Sequence, residues 1–230
     1  PYDQSVAIIT DPDEPPIAWL ATPINATWLL TAIRTAVELL RAERAVNESR
    51  ALLQICRAMG SERDVPTLHR LIVRKARELT NADAGTLYLL DDDEKTLRFA
   101  VSQTGPHDEE RFAGSTVEVS ADSIAGHVAM TGESIRIGDA YADLPPSRVR
   151  FDASFDKSTE YRTKSVLCVP IRNVSDQIVG VLQLINRKPN FDAVLGHGVV
   201  LEEVVMPFDE HDEEIVIALA SQAGAVLERH

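Results

Sequence analysis

The sequence predicts a mixed sheet with helices packed on its faces, preceded by a long helix. Four apolar or alternating runs bounded by turn residues supply the strands: Thr86–Leu90, Leu97–Gln103, Val166–Ile171 and Ile178–Ile185. Between and around them lie segments whose apolar residues recur at helical spacing. The composition agrees: 44% hydrophobic and 26% charged residues among 230 give enough apolar material for a core. At roughly 100–200 residues per domain, this length is one domain plus something, or two small ones.

Taken in order, residues 1–26 are proline-rich and hold two short strand candidates, Val6–Ile9 and Ile17–Leu20. Pro23 and Asn25 then suit a helix start. From Thr27 to about Met59 the pattern is helical, with Leu29, Ile33, Val37 and Leu40 along one side, then Leu52, Leu53 and Cys56. Five charges between Arg41 and Arg50 give this helix a solvated waist, so it reads as a connector or as two helices end to end. Gly60 and Ser61 break it. Asp64-Val65-Pro66 opens a second helix, with Leu68, Leu71, Ile72 and Leu79 on one face and its end near Asn81. Asp91–Glu94 and Asn173–Asp176 read as hairpin connections. Ala121–Met130 and Asp209–Leu227 read as helices, the latter with Val216, Leu219, Ala223 and Val226 at heptad-like spacing.

Charge and motif content exclude several functions. A formal net charge of −13 argues against nucleic acid and against an anionic membrane face. No apolar run approaches the ~20 residues a membrane-spanning helix needs. Two cysteines, Cys56 and Cys168, are too few for a disulfide framework or a zinc site, and point to a reducing, cytoplasmic setting. The chain begins at Pro1 and not at Met, which reads as a fragment of a longer protein. There is no Gly-rich phosphate loop, no Gly-x-Ser-x-Gly elbow and no His-Glu-x-x-His helix. His211-Asp212 matches a metal-hydrolase dipeptide, but the remaining histidines are scattered, and an acidic helix start explains the pair better.

The informative stretch runs from Ser123 to Glu213. It contains Ser123-Ile124-Ala125-Gly126-His127-Val128-Ala129, Thr131-Gly132-Glu133, Asp139-Ala140-Tyr141, Thr159-Glu160-Tyr161-Arg162-Thr163 and Leu167-Cys168-Val169-Pro170-Ile171. Gly180 to Arg187 follows, and then Phe208 with Asp212 and Glu213 at F-x3-D-E spacing. In order and spacing these resemble the GAF domains of cyclic-nucleotide phosphodiesterases and bacterial cyclases. Asn186, Arg187, Phe208, Asp212 and Glu213 match the family's structural signature, with Arg187 in place of its lysine.

The resemblance implies an α+β fold: a central antiparallel sheet of about six strands with helices on both faces, at residues 65–230 behind a connector at 46–64. It implies a regulatory sensor that catalyses nothing. Its pocket positions fall on Thr86, Ser102, Ile124, Ala125, Tyr141, Asp156, Thr159, Thr163 and Gln183. The implied ligand is a small molecule, cyclic AMP or cyclic GMP, with no other cofactor and no metal. Arg187 and Asp212 would form an ion pair beside the pocket. From the residues alone, Ser120 can cap a helix opening at Ala121, whose free N–H groups suit a cyclic phosphate, with Asp122 competing. Having only two cysteines argues against the family's methionine-sulfoxide reductases. Residues 1–45 are similar to the last strand and helix of a receiver domain, with Thr22 where the switch lysine would stand. The apolar stripes of the terminal helices suggest a homodimer formed through them. The competing reading is a dimerising scaffold that has lost its ligand.

Overall fold

Side-chain alternation in the long strands divides the apolar residues into two sets, and the computed structural model shows each set covered by different helices. It describes residues 6–8, 18–20, 26–105, 115–142, 149–151, 153, 156–157, 161–195 and 204–228. The chain forms two compact units, Pro1–Leu53 and Gln54–His230.

In the first unit, β1 (Val6–Ile8) pairs antiparallel with β2 (Ala18–Leu20). Helix α1 (Ala26–Ser61) starts in this unit, ends in the second, and runs unbroken for 36 residues, past the predicted connector start at residue 46. Its charged waist does not interrupt it, because Arg and Glu are good helix formers that need no burial. Trp28, Leu30, Ile33, Val37, Leu39 and Leu40 are exposed along it.

In the second unit, α2 (Val65–Thr80) starts where Asp64 accepts a hydrogen bond from Thr67 N at 3.0 Å. It stops at Asn81, whose left-handed φ of 55° suits asparagine. Six antiparallel strands follow: β3 (Ala82–Leu90), β4 (Thr96–Thr104), β5 (Thr116–Glu118), β6 (Ile135–Ile137), β7 (Val166–Arg172) and β8 (Ile178–Arg187). They are arranged β5-β4-β3-β8-β7-β6. On one face Leu87, Leu167, Val169, Ile171, Leu182 and Leu184 pack with Met59, with α2 and with α4 (Glu210–Leu227). On the other, Tyr88, Leu97, Val166, Cys168 and Val181 pack with α3 (Ile124–Thr131). A bulge in β4 between the pairs Leu87↔Val101 and Tyr88↔Phe99 shifts the alternation, so Phe99 and Ser102 both face α3.

Two expectations need correction here. The α3 helix opens at Ile124, not Ala121, and Ser123 caps it by accepting from Gly126 N at 2.9 Å. Ser120 instead accepts from Asp122 N at 3.3 Å in the preceding turn. The α4 stripe is not free for a partner: Val216, Leu219, Ala223 and Val226 are buried in this unit's own core. Each fully buried Val or Leu contributes about 1.5–3 kcal/mol there.

The signature residues fasten α4 to the sheet. Asp209 and Asp212 form a reciprocal cap, each carboxylate accepting from the other's backbone N–H at 2.9 Å. Arg187 Nε stands 2.7 Å from Asp212 Oδ2, although its N–H points off the oxygen, so the contact is one of charge. Arg187 Nη2 donates to Asp209 Oδ2 at 3.2 Å. Glu213 accepts from Ser134 and, at 2.6 Å, from Arg136 Nε on β6. Asn186 accepts from Lys164 N at 2.7 Å and donates to Arg162 O at 2.8 Å.

The two capping carboxyls titrate in opposite directions. The Asp212 backbone N–H holds the Asp209 carboxyl below the usual aspartate value of 3.8, while burial pushes Asp212 above it. The Asp209 contribution is therefore complete above the ordinary value and lost as pH falls through its lower native one. Asp209→Asn keeps a capping oxygen, so the stability difference from wild type is expected to be largest at neutral pH and to shrink as pH falls below the ordinary aspartate value. Urea unfolding across that range checks it. A difference independent of pH would contradict the assignment.

Candidate functional site

A cavity of about 360 Å³ opens between the sheet and α3, within the range of small-molecule sites. Alternation places Thr86 and Tyr88 of β3, Phe99 and Ser102 of β4, and Gln183 and Ile185 of β8 on its floor. The register sets Thr86 beside both Ser102 and Gln183. Thr86 Oγ1 and Ser102 Oγ are 2.9 Å apart and buried, a hydroxyl pair in which either can donate. The Gln183 amide is tied to no described residue, and offers donors and an acceptor to the cavity. Tyr88 and Phe99 meet edge to face at 4.6 Å, giving the floor an aromatic side.

Two walls enclose the floor. One is the turn before α3 and its first residues, Ser123, Ile124 and Ala125, where the amides of Ile124 and Ala125 have no intrahelical acceptor. The other is made by Arg150, Phe151, Asp156, Tyr161 and Thr163. Asp156 is spent within this wall. It accepts from Thr163 N at 2.7 Å, Thr163 Oγ1 at 2.8 Å and the Tyr141 hydroxyl at 2.8 Å. Below, Tyr161 donates to Asp83 Oδ2 at 2.8 Å and accepts from Asn186 Nδ2 at 3.1 Å. Burial pushes the Tyr88 and Tyr161 phenols and the Cys168 thiol well above their usual ranges, so all three stay protonated at neutral pH.

Of the nine predicted pocket residues, seven line this cavity: Thr86, Ser102, Ile124, Ala125, Asp156, Thr163 and Gln183. Tyr141 is a correction. It is 46% exposed and stands behind the wall, holding Asp156 and packing on Phe151 at 5.1 Å. Thr159 lies outside the described residues. The sequence reading missed Tyr88, Phe99, Arg150, Phe151 and Tyr161 as cavity residues. Alternation carried the signal for Tyr88, since it follows Thr86 at a spacing of two. Phe99 was hidden by the bulge. Arg150 and Phe151 reach the cavity only through the tertiary fold.

The second unit is an antiparallel α+β domain with a ligand-sized cavity between sheet and helix. The chain belongs to the GAF domain family, whose model matches residues 64–227. It is 34% identical over 160 residues to "Dual 3',5'-cyclic-AMP and -GMP phosphodiesterase 11" of Drosophila melanogaster, covering 63% of this chain and 10% of the relative. It is 33% identical over 179 residues to "Dual 3',5'-cyclic-AMP and -GMP phosphodiesterase 11A" of Takifugu rubripes, covering 70% of this chain and 19% of the relative. The chain thus spans a tenth to a fifth of these relatives. Among solved structures, the GAF domain of a phosphoenolpyruvate-protein phosphotransferase from Coxiella burnetii superposes with a TM-score of 0.59 at 19% identity. That match covers 80% of this chain and 95% of the other, and it shows the fold. No helix among the described residues is long and apolar enough to cross a membrane.

Proposed function

We propose that residues 64–227 are a sensor that binds a purine cyclic nucleotide in the cavity between the sheet and α3. The observation that carries this reading is the floor: a buried Thr86–Ser102 hydroxyl pair beside the Gln183 amide, which is uncommitted among the described residues, next to an aromatic edge. These groups suit the edge and face of a base, and relatives one-third identical are named as cyclic-nucleotide phosphodiesterases. Gln183 can turn its amide either way, so both purines fit. The chain itself carries no reaction in this reading. Cys168 is held as a buried thiol, and Asp156 is consumed by its neighbours. Self-association is assigned to the exposed apolar face of α1, because α4 spends its own stripe inside the domain.

Ligand binding would act by favouring one arrangement of the elements around the cavity over another. Thermal unfolding with and without nucleotide tests the reading. At 100 times Kd, cyclic AMP or cyclic GMP is expected to add about 2.7 kcal/mol of stability. If neither raises the melting temperature at millimolar concentration, the ligand-free scaffold takes its place.

A further inference from the structure

The rim of the cavity carries an inference that rests on the cyclic-nucleotide reading and extends it. We propose that Arg150 recognises the singly charged cyclic phosphate, exchanging Asp122 for the phosphodiester when the cavity fills. Arg150 is the only cation among the described residues lining the cavity. Its backbone N–H donates to Ala121 O at 3.2 Å, which fixes the Arg150 segment against the turn leading into α3. Its guanidinium pairs with Asp122 Oδ1 at 3.4 Å, and the two side chains are 78% and 75% exposed. An exposed pair of that kind is weak, so giving it up costs little. A phosphodiester offers two non-bridging oxygens that a guanidinium can hold in a forked pair of charge-assisted hydrogen bonds.

The neighbouring arginines are committed elsewhere. Arg162 lies over the Tyr141 ring at 3.8 Å and pairs with Asp139 at 3.7 Å. Arg136 is held by Glu213. Meanwhile Glu118 and Asp122 place negative charge at the same rim. Without Arg150, only the free amides at the α3 start would set an attraction against the carboxylates of Glu118 and Asp122. With it, one guanidinium balances one charge, which favours a cyclic monoanion over the dianion of a 5'-monophosphate.

The test is a calorimetric titration of the full chain with cyclic AMP, cyclic GMP, adenosine, guanosine and the two 5'-monophosphates. Wild type is compared with Arg150→Gln, Arg150→Lys and Asp122→Asn. Arg150→Gln is expected to weaken the cyclic nucleotide at least about tenfold, the equivalent of about 1.4 kcal/mol, while leaving the nucleoside unchanged. Arg150→Lys should recover part of that loss, and Asp122→Asn should bind the cyclic nucleotide as tightly as wild type or tighter. Cyclic nucleotide binding that Arg150→Gln does not alter overturns the role of Arg150 and leaves the purine site standing. A nucleoside that binds wild type as tightly as its cyclic phosphate has the same consequence. If wild type binds neither nucleosides nor cyclic nucleotides, the purine reading and this inference fall together.

Discussion

Replacing Lys188 with methionine is expected to cost about 3–5 kcal/mol of stability. Lys188 is 1% exposed, and its ammonium stands 3.3 Å from Asp83 Oδ1, itself 4% exposed. The same ammonium donates to Phe191 O at 2.7 Å and Ala193 O at 2.6 Å, holding the start of the β8–α4 connection. Methionine fills the space of the stem but leaves the Asp83 carboxylate buried without its cation. It also removes the donor from two carbonyls. The penalty belongs chiefly to the stranded charge, so adding Asp83→Asn to Lys188→Met should return part of the loss. Urea unfolding of the two variants measures it. A single-variant loss below about 1 kcal/mol would mean the ion pair contributes as an exposed one does.

Gly224→Ala is the second large effect, expected to cost about 3 kcal/mol. At this position α4 crosses the β7–β8 hairpin so closely that a Cβ would collide with the Arg172 carbonyl. The obstacle is backbone within a sheet, which cannot rotate aside as a side chain can. Relief requires α4 to lift, and lifting it loosens Val216, Leu219 and Ala223 from the core. Gly60→Ala is the matched control, since a Cβ there meets nothing within 4 Å. It should be neutral or slightly stabilising by limiting the unfolded chain. Equal melting temperatures for Gly224→Ala and wild type would refute the close approach.

These two positions also show what the sequence could and could not reveal. The four long strands and the helices α2 and α4 were legible, because half-buried strands alternate and amphipathic helices repeat. Strands β5 and β6 were not, since three residues each are too few for a period to show. The α3 start was misplaced because Ser120 and Ser123 are chemically equal caps, and only the tertiary position of the turn chooses between them. The α4 stripe was legible as apolar but not as to its partner. Heptad-like spacing serves a second copy or the domain's own sheet equally well. The Asp156–Thr163 tie and the Asp83–Lys188 pair join residues 7 and 105 positions apart, beyond any local signal. The Arg187–Asp212 pair, by contrast, came from the family resemblance, and the structure sets them at 2.7 Å.

The central claim, that the cavity between the sheet and α3 takes a cyclic nucleotide, is tested most directly by amide NMR of the 15N-labelled full chain. Titration with cyclic AMP or cyclic GMP is expected to move the backbone signals of Thr86, Ser102, Ile124, Ala125 and Gln183. Signals from α2, on the far face of the sheet, should move far less. A saturating titration that leaves the five cavity signals in place, or that shifts α2 as much as the cavity, would contradict the account.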